Sequence, residues 1–452
     1  MKKHLFSFLI FVLIYCLPAN EMRVGNGITE MQAAQNYDGT ALILYVQNGS
    51  LKAINADESS RLQKIDLPDV SGITDVQGLS LSEIDSNYFV CIGKENDIYK
   101  LITIRLDYES SIELKKYTLN FEQSAFSNFS LNYNDESKVY NYSFLNNNIL
   151  YNISISDNEV NEIKAISNPD DIVTSYKFYY WYEGELIGYY ISNDNTKITF
   201  LKKNDNQFEK NDINSNGVIE YVDFFYTENK DLYMMLFADN KTILFKYNNF
   251  NFEEKENTQG YAYYPALISN NSLSNKISFY DSTLTIKRSL MEDSYVASDA
   301  KIIFSDENNV QVIYKTVNEW KLLKITQNNI QEVELNLAST VQFANYVDDQ
   351  FIIFEDLDNK HFIVISLDDY QKVNEVSVES IMSGTRIRRN KSQRLWAFEN
   401  EKSVTLLSDE LDILNNSDKE KFILTNSKND NSKTCVYNKG NLIVNNTEVV
   451  YE

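Results

Sequence analysis

Residues 217–257, GVIEYVDFFYTENKDLYMMLFADNKTILFKYNNFNFEEKEN, contain four short runs parted by turn-forming residues. Runs 218–228, 231–239 and 242–248 are rich in aromatic and aliphatic side chains, and 251–257 is polar and fringed with charge. The breaks are Asn-Lys-Asp and Asp-Asn-Lys, residues that favour turns between apolar stretches. The inner runs are apolar at successive positions and do not alternate. Each predicted strand must therefore be covered on both faces. One four-stranded unit cannot cover itself in this way, whereas a row of stacked copies can.

The unit recurs along the chain. Runs 41–47 and 50–55 flank Asn48-Gly49, a hairpin signal, and 61–67 adds a third strand. Further copies occupy 74–121, 126–166 and 172–212, the last read as three strands and a loop to Asp212. Residues 261–291 form a thinner copy, 300–337 and 340–380 are complete, 384–408 is weaker, and 422–452 supplies more short strands. Successive units begin roughly 37 to 52 residues apart, close to propeller blade length. No helical period is sustained. The pattern resembles β-propeller repeat architecture and predicts an all-β propeller of seven or eight four-stranded blades. The first hairpin lacks a leading strand while the C-terminal end has strands to spare. Both ends are thus expected to share one blade, closing a single domain over 20–452 and pairing otherwise open edges. A β-sandwich array or solenoid is the rival, but sandwiches should alternate more strongly. The chain lacks the Gly-His…Trp-Asp pair, the double-glycine kelch pattern and the Ser-x-Asp-x-Gly sialidase box.

Charge narrows the function classes. The formal net charge is −23, which repels nucleic acid and anionic lipid. The one dense basic stretch, Arg386, Arg388, Arg389, Lys391 and Arg394, is too small to offset it. Asn, at roughly an eighth of the chain, supplies turns that glycine usually makes. Residues 1–19, with a basic start and an apolar run before Leu-Pro-Ala, read as a secretory signal peptide cleaved after Ala19. The product is expected to be secreted, periplasmic or at the cell surface. Leu13-Ile14-Tyr15-Cys16 resembles a lipobox, which would attach a lipid to Cys16, although Tyr15 is bulky for such a signal. No later run is long and apolar enough to span a bilayer. Cys91 and Cys435 remain, either bridged across a closed ring or buried as free thiols.

The sharpest local motif is Asp212-Ile-Asn214-Ser-Asn216-Gly217-Val218-Ile-Glu220-Tyr-Val-Asp223. It resembles the D-x-[DN]-x-[DN]-G calcium loop and the calcium loops of integrin-type propeller repeats. The resemblance implies ligands from Asp212, Asn214, Asn216, the Val218 carbonyl, Glu220 and Asp223. Asn at the third and fifth positions and Asp at the twelfth depart from the pattern, and an ordinary inter-blade turn is the other reading. The mature chain has one histidine, His361, inside a strand pattern, so zinc sites of the His/Cys kind and serine–histidine hydrolysis lack their parts. Paired carboxylates facing a cleft could hydrolyse glycans. Asp75, Asp223, Asp299 and Asp348 lie in or near predicted innermost strands. Tyr179, Tyr180, Trp181 and Tyr182 form the densest aromatic cluster, read as blade core or as a platform for a sugar or protein partner. The expectation is a non-enzymatic, secreted or envelope-associated propeller that binds a protein or glycan partner, with possible calcium and no catalytic residues. A carboxylate-dependent glycoside hydrolase is the alternative.

Overall fold

The computed structural model describes residues 21–446 except 37, 68, 83–86, 107–111, 122–124, 157–158, 181–185, 205–206, 227–231, 240, 249–250, 260, 264–265, 272–273, 281–285, 292–295, 306–308, 316–318, 327–328, 348–349, 378–384, 391–394, 401, 409–410, 412 and 425–432. The signal sequence and Cys16 lie outside the described residues. Among the described residues the strands form ten four-stranded antiparallel sheets and no helix. In chain order, nine sheets comprise residues 28–65, 73–119, 126–165, 173–214, 219–259, 261–291, 296–338, 342–377 and 386–418. Within each, neighbouring strands are consecutive in sequence, the meander of a propeller blade. The tenth contains Lys421–Leu424, Lys433–Asn438, Asn441–Asn446 and the strand Glu21–Arg23, whose Met22 stands opposite Leu442. The first and last described strands therefore share one sheet.

The fold is the all-β propeller class expected from the repeats. The sheets outnumber the seven or eight units counted in the sequence. The thinner and weaker copies of the sequence, 261–291 and 384–408, correspond to full four-stranded sheets, the sixth with strands of 3, 6, 7 and 6 residues and the ninth with strands of 5, 5, 6 and 6. A further difference concerns 207–214. The expected loop before Asp212 is a strand, Gln207–Asn214, paired along its length with Lys197–Asn204.

Contacts divide the chain into two compact units, Met1–Ile166 with Arg386–Glu452, and Ser167–Thr385. In the first unit, cores lie between the ninth and tenth, tenth and first, first and second, and second and third sheets. Leading strands touch in succession: Lys421–Leu424 with Ile28–Gln35, then Ile73–Leu81, then Phe126–Asn134. In the second unit, cores join the fourth to the fifth and the seventh to the eighth sheet, and strand contacts link the fifth to the sixth and the sixth to the seventh.

The doubly apolar strands now have a cause. Ala41–Gln47 is buried at every position. Leu42, Leu44 and Val46 enter one core, and Ala41, Ile43 and Tyr45 enter the core on the opposite face. Each large aliphatic buried in this way contributes about 1.5–3 kcal/mol relative to exposure. Cys91 and Cys435 are free and buried in two such cores. Burial pushes the Cys435 thiol up to about 12.

One strand carries a charge where it should carry a hydrocarbon. Phe351–Asp356 sends Ile352 and Phe354 into the core shared with the seventh sheet. Glu355 lies on the other face, opposite Phe362, and is 6% exposed. Among the described residues its carboxylate has no hydrogen-bond or ion-pair partner, and burial pushes its pKa up. The folded chain thus retains a proton that the unfolded chain releases. Glu355 costs no stability below the ordinary glutamate range, and the cost grows as the pH rises through its own raised value. Glu355→Gln is expected to be more stable than wild type by about 1 kcal/mol at pH 8 and equal to it at pH 4, as read by denaturant titration at both values.

Candidate functional site

The fourth sheet combines polar depth with an exposed apolar rim at one end. Its strands are Val173–Tyr180, Leu186–Ser192, Lys197–Asn204 and Gln207–Asn214. Val173, Ser192, Lys197 and Asn214 all stand at the same end, because Val173 pairs with Ser192, Ser192 with Lys197, and Lys197 with Asn214. The loop 167–172, the turn 193–196 and the loop 215–218 therefore emerge together.

Asp171 is the centre. Its side chain is 5% exposed. It accepts hydrogen bonds from Tyr190 Oη at 2.7 Å, Asn168 Nδ2 at 3.0 Å and Asn193 Nδ2 at 3.4 Å. Lys197 Nζ lies 3.0 and 3.2 Å from its two oxygens. The same ammonium lies 2.9 Å from Asp212 Oδ2, while Thr199 Oγ1 donates to Asp212 Oδ1 at 2.7 Å. Lys210 Nζ donates to Asn168 Oδ1 at 3.1 Å. Burial alone would push the Asp171 carboxyl up, but the donors Tyr190, Lys197 and Asn168 outweigh it and hold the group below the ordinary aspartate range. Burial likewise opposes the Lys197 charge, and the two carboxylates overcome it, so its pKa is raised.

Above this floor the turn is held in an uncommon conformation. Asn193, Asp194 and Asn195 have φ of 55°, 58° and 61°, three successive left-handed residues. Asn and Asp tolerate this region better than other side-chain-bearing residues, at a cost that the surroundings must offset. The restraint is visible on both sides. Asn193 N donates to Ile172 O at 3.2 Å, and Ile219 N to Asn195 O at 2.7 Å. Thr174 Oγ1 donates to Asn195 Oδ1 at 2.6 Å. Ile172 and Val218, on the loops flanking the turn, are 60% and 54% exposed.

The calcium motif falls within this end of the sheet. Asp212 and Asn214 sit in a paired strand, not a loop, opposite Thr199 and Lys197. Two residues apart on extended backbone, they lie on the same face of the sheet. Asn216 and Glu220 are exposed, Val218 lies on the exposed loop, and Asp223 pairs with Met235, its side chain lying outside what is described. Gly217 has a packing reason: a Cβ there would lie 2.7 Å from Asp239 Cβ. Both Asp212 oxygens are engaged by Lys197 and Thr199, so the described part of the motif does not fit a calcium cage, which needs six to eight oxygens at 2.3–2.6 Å. Among the described residues no cluster of three His, Cys, Asp or Glu could hold a metal ion.

Of the carboxylates proposed for hydrolysis, only Asp75 has a described side chain. Asp75, on Ile73–Leu81, is exposed and belongs to the first unit. Asp223 and Asp299 lie in strands Ile219–Tyr226 and Val296–Ser305 with undescribed side chains, and Asp348 is outside the described residues. His361 opens the strand His361–Ser366, with Nε2 3.8 Å from Asp356 Oδ2. Of the aromatic cluster, Tyr179 is half-buried, its ring 6.1 Å from that of Phe224, with Lys177 Nζ 4.7 Å from its centroid. The Tyr180 side chain and residues 181–182 lie outside the description. Of the basic stretch, Arg389 stacks on Trp396 at 4.9 Å, and Lys391 and Arg394 are outside the described residues. Reading the sequence missed Asp171, Tyr190 and Lys197. No short motif joins them, since Asp171 and Lys197 stand 26 positions apart and meet only through strand pairing.

No protein-family model and no curated protein matches the chain. Solved structures do resemble it. Dihydro-heme d1 dehydrogenase NirN in complex with DHE has 9% identity, with 89% of this chain and 78% of that chain covered and a TM-score of 0.40. A eukaryotic initiation factor has 10% identity, with 92% and 91% covered and a TM-score of 0.38. The Dos1 propeller has 10% identity, with 95% of each chain covered and a TM-score of 0.38. At this level of likeness none of their activities transfers, and the fold rests on the sheets themselves.

Proposed function

We propose that the protein is a non-enzymatic propeller, secreted or envelope-associated, that binds a protein or glycan partner through this end of the fourth sheet. One observation carries the reading. Two exposed aliphatic side chains, Ile172 and Val218, flank a left-handed turn whose conformation is enforced from below and from both sides. A rigid rim with apolar contacts binds with little ordering cost. Loops held by a stiff scaffold are where recognition residues concentrate. The ionisable groups beneath it are engaged with one another, which suits a positioning role better than proton transfer.

The test is binding without turnover. Purified protein is expected to bind a ligand on a glycan panel or among secreted and envelope proteins, and to release no product from any glycan it binds. Ile172→Asp combined with Val218→Asp should weaken binding by roughly tenfold or more while leaving the melting temperature unchanged. Glycan hydrolysis, or binding untouched by the double substitution, would overturn the proposal.

A further inference from the structure

The resemblance to a calcium loop and the misfit of its side chains have one physical resolution. Asp171 and Asp212 come from a loop and an edge strand, and their carboxylates converge on one point. Two anions brought that close need a cation between them. A lysine already fills the place. Lys197 Nζ has three donor hydrogens, and three carboxylate oxygens lie 2.9, 3.0 and 3.2 Å away. These are ammonium distances, longer than the 2.3–2.6 Å of calcium–oxygen bonds. Asn168 and Asn193 donate to Asp171 through their amide nitrogens, so around that carboxylate they present hydrogens where a metal needs oxygens. Lys210 stands on the far side of Asn168, close enough for both carboxylates to act on its charge. Lys197 and Lys210 thus offset the two carboxylates that face each other here, Asp171 and Asp212.

We propose that Lys197 is the resident cation of this corner: its ammonium does the work for which the neighbouring sequence resembles a calcium loop, and the turn Asn193–Asn195 is held without metal. The inference concerns the corner itself and stands whether or not the rim above it binds a partner.

Thermal unfolding of the full chain tests it, with millimolar calcium or with chelator. Wild type is expected to melt at one temperature in both. Lys197→Met should melt roughly 5–10 °C lower in chelator, and should regain part of that loss with calcium. Adding Asp171→Asn to Lys197→Met removes a carboxylate that needs neutralising, and the pair should recover stability without calcium. If Lys197→Met yields no folded protein, the double variant still should. The proposal fails if calcium raises the wild-type midpoint and Asp212→Ala abolishes that rise. It fails equally if Lys197→Met is as stable as wild type, or if neither calcium nor Asp171→Asn recovers the loss.

Discussion

Gly78→Ala is expected to destabilise the chain by about 3–4 kcal/mol, read as a fall in denaturant midpoint. Two costs add. Gly78 has φ of 71°, in the left-handed region, where a side chain costs about 1–2 kcal/mol. A Cβ there would also lie 2.3 Å from Phe129 Cδ1 and 2.5 Å from Tyr142 Oη, and overpacking of this kind costs about 1–3 kcal/mol. Tyr142 is not free to leave. Tyr142 Oη donates to Gly78 O at 2.8 Å, and Tyr142 is buried in the core between the second and third sheets. From the other side, Glu30 of the first sheet accepts from Gly78 N at 3.0 Å and Leu79 N at 2.6 Å. Three sheets are tied at one residue. The pairing of Ile73–Leu81 with Tyr88–Glu95 slips on either side of Gln77 to present this backbone. Gly72→Ala is the control. Its φ is 98°, and a Cβ would meet nothing within 4 Å, so only the conformational cost of about 1–2 kcal/mol should remain. Equal effects at the two positions would show that the three-sheet junction contributes nothing.

Asp171→Asn should cost about 2–3 kcal/mol at neutral pH, because hydrogen bonds to a buried charged group contribute about 1.5–3 kcal/mol. The amide would also turn a donor toward Lys197, Asn168 or Asn193 where the carboxylate had only acceptors. The pH dependence has a definite sign. The folded pKa of Asp171 lies below its unfolded value, so its contribution is complete above the ordinary aspartate range and is lost as the pH falls through the lowered folded value. Wild type and variant should therefore converge toward acid. A difference that stays constant from pH 7 into the acid range would mean that the charge of Asp171 plays no part.

Much of the fold was legible because burial on two faces leaves a plain trace. Leu232–Ala238, LYMMLFA, is buried at every position, and its apolar run predicts such a strand without any tertiary knowledge. Outer strands leave no such trace. Gln207–Asn214, QFEKNDIN, mixes exposed and half-buried residues, none of them fully buried, and pairs along its length with Lys197–Asn204. Backbone hydrogen bonds carry no residue-specific signature, so a polar edge strand reads as a loop. Nor does the sequence show that Asp212, the first residue of the calcium-loop resemblance, pairs with Lys197 on the neighbouring strand.

Local chemistry thus settled the strand-rich class, the doubly covered inner strands and the hairpin across Asn48-Gly49, since side-chain hydrophobicity and turn preference act over a few residues. Which carboxylate meets which ammonium, where a glycine must yield to a tyrosine, and which loops share one end of a sheet were decided only in three dimensions. Strand pairing and sheet packing set those meetings, by register and distance between residues whose separation along the chain says nothing of it.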